Sequence, residues 1–264
     1  MQLKTDKMIA TKDNGIGWMI FNNPERRNAM SLAMRDAMAE IFEAYAKDPE
    51  VRVLVLRGAG GKAFVSGADI SEFKDRRNSA EAEAAYYETV SRSLKAMAAF
   101  DKPTIAMIEG FCVGGGMAMA LECDLRLASE DSEFGIPAAK LGLAYSYDNL
   151  KALTNVVGPA YAKQILFTGS RLNAKKALEI GLINDMLSRA DLEARVRGIC
   201  AEIVGNAPLT IRAAKATINE TLKDEHARDM DRINGLMKQC FDSRDFQEGR
   251  EAFMEKRKPV FQGS

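Results

Sequence analysis

Short apolar runs alternate with longer amphipathic segments through the first two thirds of the chain. The runs predict strands at 15–21, 52–57, 63–65, 104–108 and 124–128. Helical patterns cover 32–46, 79–100 and 115–123, and a further helix begins near Asp148. Alternating strands and helices predict the α/β class with mainly parallel pairing. A loop is predicted at 134–137, and from about residue 174 the pattern is helical without strand signals.

Length and composition narrow the class of protein. The chain has 264 residues, 47% of them hydrophobic, which allows one large domain, or one domain with a small appendage, and a substantial core. Its 37 basic and 37 acidic residues balance, so neither nucleic acid nor an anionic membrane surface is favoured as a partner. The amino-terminal segment has no apolar signal region, and no apolar run is long enough to span a bilayer. We therefore expect a cytoplasmic protein.

The single histidine limits the available chemistry. His226 lies in a charged segment that is typical of a solvated helix face. A Ser-His-Asp triad, a Cys-His pair and a histidine-rich metal site are therefore disfavoured. The four cysteines are widely spaced without a metal-ligand pattern, which favours buried reduced thiols and no metal site. Chemistry must then depend on backbone donors, carboxylates, tyrosine or lysine.

Two glycine-bearing turns follow predicted strands. Gly114, Gly115 and Gly116 come after the strand at 104–108 and open a helical segment, where bare backbone N–H groups and the helix dipole favour an anion. Gly67 and Ala68 form a similar small-residue turn after 63–65. If both turns converge on one oxygen, they form an oxyanion hole made of main chain. A purely structural turn is the alternative for either one alone.

Ordered motifs along nearly the whole chain resemble the crotonase, or enoyl-CoA hydratase/isomerase, superfamily. They are Asn23-Pro24, Asn28-Ala29, Phe64, Gly67 to Ile70, Gly110 to Asp124, Phe134-Gly135, Pro137, Leu141-Gly142, Leu166 to Gly169, Ala177, Gly181 to Asn184, Gln247 to Gly249 and Ala252 to Lys258. The resemblance implies a crotonase (ClpP-like) spiral of repeated ββα turns in residues 1–195. It implies a helical region at 196–264 for packing and trimerisation. It also implies homotrimers or hexamers, acyl-CoA thioester substrates, a place in fatty acid metabolism, and coenzyme A only as part of the substrate.

The resemblance also assigns roles to residues of this chain. By motif, the N–H groups of Ala68 and Gly115 hold the thioester oxygen. Coenzyme A contacts fall on Ser66, Ala68, Asp69 and Ile70. At the nucleotide end they fall on Phe253 and Lys256, with Arg26 or Arg27 meeting a phosphate. An exposed, solvated charge is the alternative for the arginines and for Lys256.

Two positions depart from the hydratase pattern. The hydratases that this chain resembles use two glutamates to position and activate water, and by motif these fall on Ala118 and Ala138. Alanine can neither donate nor accept a proton, so the usual acid–base mechanism is unavailable. We therefore expect enolate-stabilised lyase or isomerase chemistry that does not use the paired glutamates.

Other side chains are candidates to complete the site. Tyr145 matches by motif a tyrosine of the methylmalonyl-CoA decarboxylase branch, which suggests a malonyl-type decarboxylase, although that branch has histidine where this chain has Ala68. Asp148 is a candidate base or simply a helix cap, and Tyr145 and Tyr147 are site residues or packing residues. Glu122 lies one turn beyond Ala118, where we expect it to be too deep to act. A non-catalytic coenzyme A-binding protein is the remaining alternative.

Overall fold

Two sheets organise the part of the chain that the structure describes, and their strands are short. The computed structural model describes residues 1–69 and 80–264, and of residues 80–87 the helical backbone alone. The strands are β1 Met8–Asp13, β2 Ile16–Phe21, β3 Val53–Gly58, β4 Ala63–Val65, β5 Thr104–Ile108, β6 Phe111–Val113, β7 Leu125–Ser129, β8 Glu133–Gly135, β9 Leu172–Asn173 and β10 Asp185–Leu187. The helices are α1 Leu32–Lys47, α2 Ala80–Ala98, α3 Gly115–Leu121, α4 Ala138–Leu141, α5 Tyr147–Thr168, α6 Ala174–Glu179, α7 Arg189–Gly205, α8 Pro208–Thr221, α9 Met230–Phe241 and α10 Arg244–Glu255.

From β3 to β8, successive strands alternate between the two sheets. The larger sheet has the order β1-β2-β3-β5-β7-β10 and the smaller one β4-β6-β8-β9. Pairing is parallel except between β1 and β2 and between β8 and β9. Each pair from β3–β4 to β7–β8 is followed by a helix, which makes repeated ββα turns. The predicted α/β class with mainly parallel strands is confirmed.

The larger sheet is buried on both faces, as parallel sheets require. Along β3, Leu54 and Leu56 join the main core, which also contains α1, while Val53 and Val55 point to the other face. That second face is covered by α7 through residues spaced by four, namely Leu192, Val196 and Cys200. Helix α7 crosses residue 195, so the division of the chain at that residue stays a prediction.

Two sequence expectations are wrong. Residues 133–135 form β8 although a loop was expected at 134–137, and Asp185–Leu187 form β10 although no strand was expected after 174. β8 and β10 have three residues each, which is too few to show an alternating pattern. Hydrogen bonds from neighbouring strands determine their conformation, since β8 pairs with β6 and β10 pairs with β7.

Candidate active site at the two glycine turns

The turn after β4 is held by a backbone bridge. Met30 N donates to Gly67 O at 2.8 Å and Asp69 N donates to Met30 O at 2.9 Å, so Met30 bridges to Ala68 in parallel fashion. Successive peptide groups of an extended chain point to opposite sides. The N–H of Ala68, which lies between these two bonds, therefore points away from Met30 and is left available.

The three consecutive glycines of the second turn have three different surroundings. Gly114 has φ 57° and ψ −121°, a backbone conformation that favours glycine, and its N–H donates to Gly135 O at 2.8 Å. A Cβ on Gly116 would lie 2.0 Å from Val65 O, so this position requires glycine for the approach of α3 to β4. The backbone conformation at residue 114 and the close packing at residue 116 therefore explain why Gly114 and Gly116 are glycine. Of the three, Gly115 alone faces the neighbouring turn.

The two turns meet at Gly115 and Ala68. A Cβ on Gly115 would lie 3.8 Å from both Ala68 N and Gly67 Cα, and a Cβ on Gly67 would lie 3.9 Å from Gly115 N. Gly115 is the first residue of α3, and the first N–H groups of a helix have no partner within it. Gly115 and Ala68 are both partly exposed. The sequence-based expectation that the turns lie side by side is in keeping with this geometry.

The two positions that the sequence singled out as departures from the hydratase pattern lie on different helices. Ala118 is half-buried on α3, one turn after Gly115, and Ala138 is the buried first residue of α4. Helical geometry places Gly115 and Ala118 on the same face. Ala118 thus places a methyl group on the helix face that carries Gly115.

Tyr145 reaches the glycine turn from the loop between α4 and α5. Its Oη lies 3.9 Å from the position of a Cβ on Gly114. The side chain is half-buried and packs on the main core, and burial raises the pKa of its hydroxyl. Tyr145 is therefore a neutral hydroxyl beside the turn, able to donate to a bound ligand.

The start of α5 corrects one interpretation of Asp148. Ser146 is the N-cap, and its hydroxyl accepts from Asn149 N at 3.4 Å. Asp148 lies in the first turn and is exposed, so it is not the cap that the sequence allowed it to be. Tyr147 is 73% exposed, which places it on the surface rather than in the packed interior.

Glu122 directly follows α3 and is accessible, against the expectation that it lies too deep. Its side chain is exposed. The surrounding protein nevertheless desolvates the carboxyl and raises its pKa, and the charge of Asp148 is a second, smaller cause. Residues 118 and 122 are one helical turn apart, and helical side chains lean toward the amino end of their helix. Glu122 and Ala118 are therefore expected on the same face of this helix end. The expectation that Glu122 lies too deep rested on its spacing along the helix alone.

Two of the predicted coenzyme A contacts have partners within the protein. Asp69 is buried, and both of its carboxylate oxygens lie 3.1 Å from Arg26 Nη1. Ser66 N donates to Arg27 O at 3.1 Å and its hydroxyl donates to Arg26 O at 3.4 Å. These bonds fasten the turn that carries Ala68 to residues 26–27.

The other predicted contacts are dispersed. Arg27 stacks its guanidinium 5.2 Å from the centre of the Phe111 ring, on the wall of a recess of about 350 Å³. Ile70 lies outside the described residues. Phe253 is 83% exposed near the end of α10, and Lys256 ends that helix with φ 57°. Coenzyme A contacts at Phe253 and Lys256 stay predictions.

Comparison with known proteins decides the family. A model of the enoyl-CoA hydratase/isomerase family matches residues 11–264. The chain belongs to this family. It is 34% identical over 261 residues to crotonyl-CoA hydratase of Syntrophomonas wolfei, covering 97% of this chain and 98% of that protein. It is also 34% identical over 263 residues to human enoyl-CoA hydratase domain-containing protein 2, mitochondrial, covering 97% and 89% of the two chains.

Solved structures of the family share the fold. An enoyl-CoA hydratase/carnithine racemase from Magnetospirillum magneticum superposes with a TM-score of 0.90 at 35% identity, covering 99% of this chain and 97% of that one. The crotonase fold predicted from the motifs is thus confirmed, and the chain is an enzyme of the enoyl-CoA hydratase/isomerase family. Among the described helices, none is long and apolar enough to cross a membrane. Because some family members are mitochondrial, a cytoplasmic location stays a prediction.

Proposed function

We propose that this enzyme binds an acyl-CoA thioester with its carbonyl oxygen between the N–H groups of Ala68 and Gly115. The observation that supports this most directly is the approach of Gly115 to Ala68 N. The hydrogen bonds that build the two turns use neither the N–H of Ala68 nor that of Gly115. When a bond to the carbon beside the thioester breaks, its electron pair moves onto the oxygen and forms an enolate. Two fixed donors stabilise that charge without reorganisation.

Hydration by a pair of glutamates is not the reaction we propose. Several relatives are named hydratases, but Ala118 and Ala138 stand where the family resemblance places the two acids. General acid–base catalysis contributes about 10²–10⁴-fold to a rate, so a site without those acids loses most of its advantage for adding water. The proposed activity is proton transfer or elimination beside the thioester, as in an isomerase or lyase.

Glu122 and Asp148 are the carboxylates that we propose for proton transfer. Glu122 begins about 10 Å along the helix axis from Gly115 and leans back by roughly one turn of about 5 Å. Its carboxyl therefore lies nearer to carbons beyond the thioester than to the thioester itself. A carboxyl with a raised pKa is a better base than an ordinary one once it is ionised, and a better-populated acid at neutral pH.

A malonyl-type decarboxylase is the second candidate, and the position of Tyr145 favours it. In that reaction the bond to the departing carboxylate breaks, carbon dioxide leaves, and the electron pair enters the enolate. The hydroxyl of Tyr145, close to Gly114, would hold the substrate carboxylate out of the thioester plane. The negative charges of Glu122 and Asp148 oppose a second carboxylate nearby, which is why proton transfer ranks first.

Exchange of acyl-CoA α-protons with deuterium tests the enolate directly. Butyryl-CoA incubated with the enzyme in D₂O should gain deuterium beside the thioester, measured by mass spectrometry against an incubation without enzyme. Parallel assays with crotonyl-CoA, a 3-enoyl-CoA and methylmalonyl-CoA identify the overall reaction. We expect crotonyl-CoA hydration to be at least about a hundredfold slower than in a relative with both glutamates.

The possible results of these assays distinguish the candidate functions. Crotonyl-CoA hydration at the rate of such a relative contradicts the argument from Ala118 and Ala138. Tight binding of butyryl-CoA without exchange, and without turnover of any of the three substrates, contradicts the proposed catalysis and favours a non-catalytic coenzyme A-binding protein. Release of carbon dioxide from methylmalonyl-CoA without isomerisation of the 3-enoyl-CoA selects the decarboxylase.

A further inference from the structure

A second recess lies at the opposite end of the larger sheet from the glycine turns. It has a volume of about 230 Å³ and is lined by Arg52 and Pro103, the residues that directly precede β3 and β5. The glycine turn follows β6, which the chain enters from the other end of β5, and the five residues of β5 span about 17 Å at about 3.3 Å each. The recess is therefore separate from the candidate active site.

Lys102 places a buried positive charge in this recess. Its side chain is largely buried, and its Nζ donates to the backbone oxygens of Tyr45 and Asp48 at 2.7 Å each. An ammonium group has three donors, so one N–H remains, and no carboxylate of the described residues lies within ion-pair distance of Nζ. Burial lowers the pKa of this group, with the nearby charges of Arg212 and Arg52 acting in the same direction and those of Asp101 and Asp48 opposing it.

Arg52 contributes a second unused donor. Its Nη2 donates to Phe261 O at 3.0 Å, while Nη1 is buried and has no hydrogen-bond partner among the described residues. A buried polar group without a partner is unfavourable by about 1–3 kcal/mol, and by more when it is charged. Two cations at one recess, with an N–H of Lys102 left over, favour the binding of an anion.

The charge around the recess is one-sided. Lys47, Arg52, Lys102 and Arg212 line it, and no acidic residue does so within the described part of the chain. Behind Arg212, Asp101 pairs with it through one oxygen, and the other oxygen of Asp101 is buried without a partner. After that pair is subtracted, three positive charges remain at the recess.

We propose that this recess binds a small organic carboxylate with an apolar body. The carboxylate accepts a charge-assisted and therefore strong hydrogen bond from Lys102 Nζ, and the guanidinium charge of Arg52 stabilises it further. The apolar body lies against the ring and aliphatic side chains of Pro49, Pro208 and Ile211, which line the same recess. This proposal does not depend on the reaction at the glycine turns.

Calorimetric titration of the full-length protein with benzoate tests the site, with benzamide as an uncharged probe of the same shape. The titrations are run with coenzyme A at saturation, so that the acyl-CoA site is occupied. We expect benzoate to bind once per chain and benzamide to bind at least about tenfold more weakly. Equal binding of the two probes, or no binding of benzoate up to about 10 mM, overturns the proposal.

Variants locate the bound probe. Lys102→Met and Arg52→Met should each weaken benzoate binding at least about tenfold, whereas Lys163→Met, at an exposed lysine of α5, should leave it unchanged. Circular dichroism establishes that each variant is folded before titration. If a folded Lys102→Met or Arg52→Met protein binds benzoate like the wild type, the recess is not the site. If neither folds, the comparison of benzoate with benzamide still decides whether an anion is recognised.

Discussion

The two halves of the candidate active site differ in how their positions are determined. The proposed donor half, Ala68 and Gly115, consists of main chain that is held by the bridge to Met30 and by the approach of Gly116 to Val65. The proton-handling half consists of side chains on the α4–α5 loop, the start of α5 and the end of α3, and Asp148 and Glu122 are exposed. The first half is fixed by contacts of the fold, and the second is free to vary.

That difference teaches where function can change within one fold. A backbone donor does not depend on which side chain its residue carries, so most substitutions leave it in place. A side chain such as that of Ala118 can be exchanged without altering the turn beneath it. The side-chain half therefore determines which reaction a family member catalyses. The donor half determines which kind of charge it stabilises.

Removing one backbone donor should produce the largest effect. Gly115→Pro deletes the N–H at the first position of α3, where proline is tolerated, and should slow α-proton exchange by about a hundred- to a thousandfold. Gly115→Ala keeps the N–H and adds a Cβ whose nearest contacts, at 3.8 Å, are ordinary, so it should retain most of the activity. Equal loss in both variants would mean that space, and not the N–H, is what matters there.

The packing that fixes the donor half can be tested by measuring the free energy of unfolding of glycine variants. Gly116→Ala places a Cβ 2.0 Å from Val65 O, which forces the backbone to shift and should lower the free energy of unfolding by about 1–3 kcal/mol. Gly198→Ala, in α7, meets nothing within 4 Å and should raise it by about 0.5–1 kcal/mol. Urea unfolding of both variants measures the difference. A neutral Gly116→Ala variant would show that α3 is not fixed on β4.

The strands and turns that carry the proposed donors were also the part of the structure that the sequence allowed us to predict. Glycine at 114 and 116 reports a backbone requirement that is visible in the sequence, and the strands at 63–65 and 104–108 were found because their apolar residues are contiguous. The function of Asp148 was not readable, because both Ser146 and Asp148 suit a cap and only the helix start decides between them. The accessibility of Glu122 depends on how α3 and α5 pack, which spacing along one helix does not contain.

A smaller effect is expected at the tyrosine beside the glycine turn. Tyr145→Phe removes one hydroxyl from the site and should lower the rate on the true substrate by about two- to tenfold, the contribution of one ordinary hydrogen bond. Tyr147→Phe is the matched control, because Tyr147 is 73% exposed, and its rate should not change. Steady-state kinetics of the two variants measure this. An unchanged rate in Tyr145→Phe removes this hydroxyl from the mechanism.

The smallest effect expected is electrostatic and concerns the coupling of Glu122 to Asp148. Desolvation of the carboxyl by the surrounding protein is the main cause that raises the pKa of Glu122, and the charge of Asp148 is the second, so Asp148→Asn should lower that pKa without returning it to the ordinary value. A carboxyl whose pKa is higher in the folded state binds its proton more tightly there. The folded state is therefore disfavoured as pH rises from the ordinary glutamate pKa through the raised one. Glu122→Gln should then raise stability at neutral pH and leave it unchanged in acid. Carbon-13 NMR titration of the Glu122 carboxyl measures the coupling, with Asp191→Asn as the control; a pKa that does not respond to Asp148→Asn would show that the two carboxylates act separately.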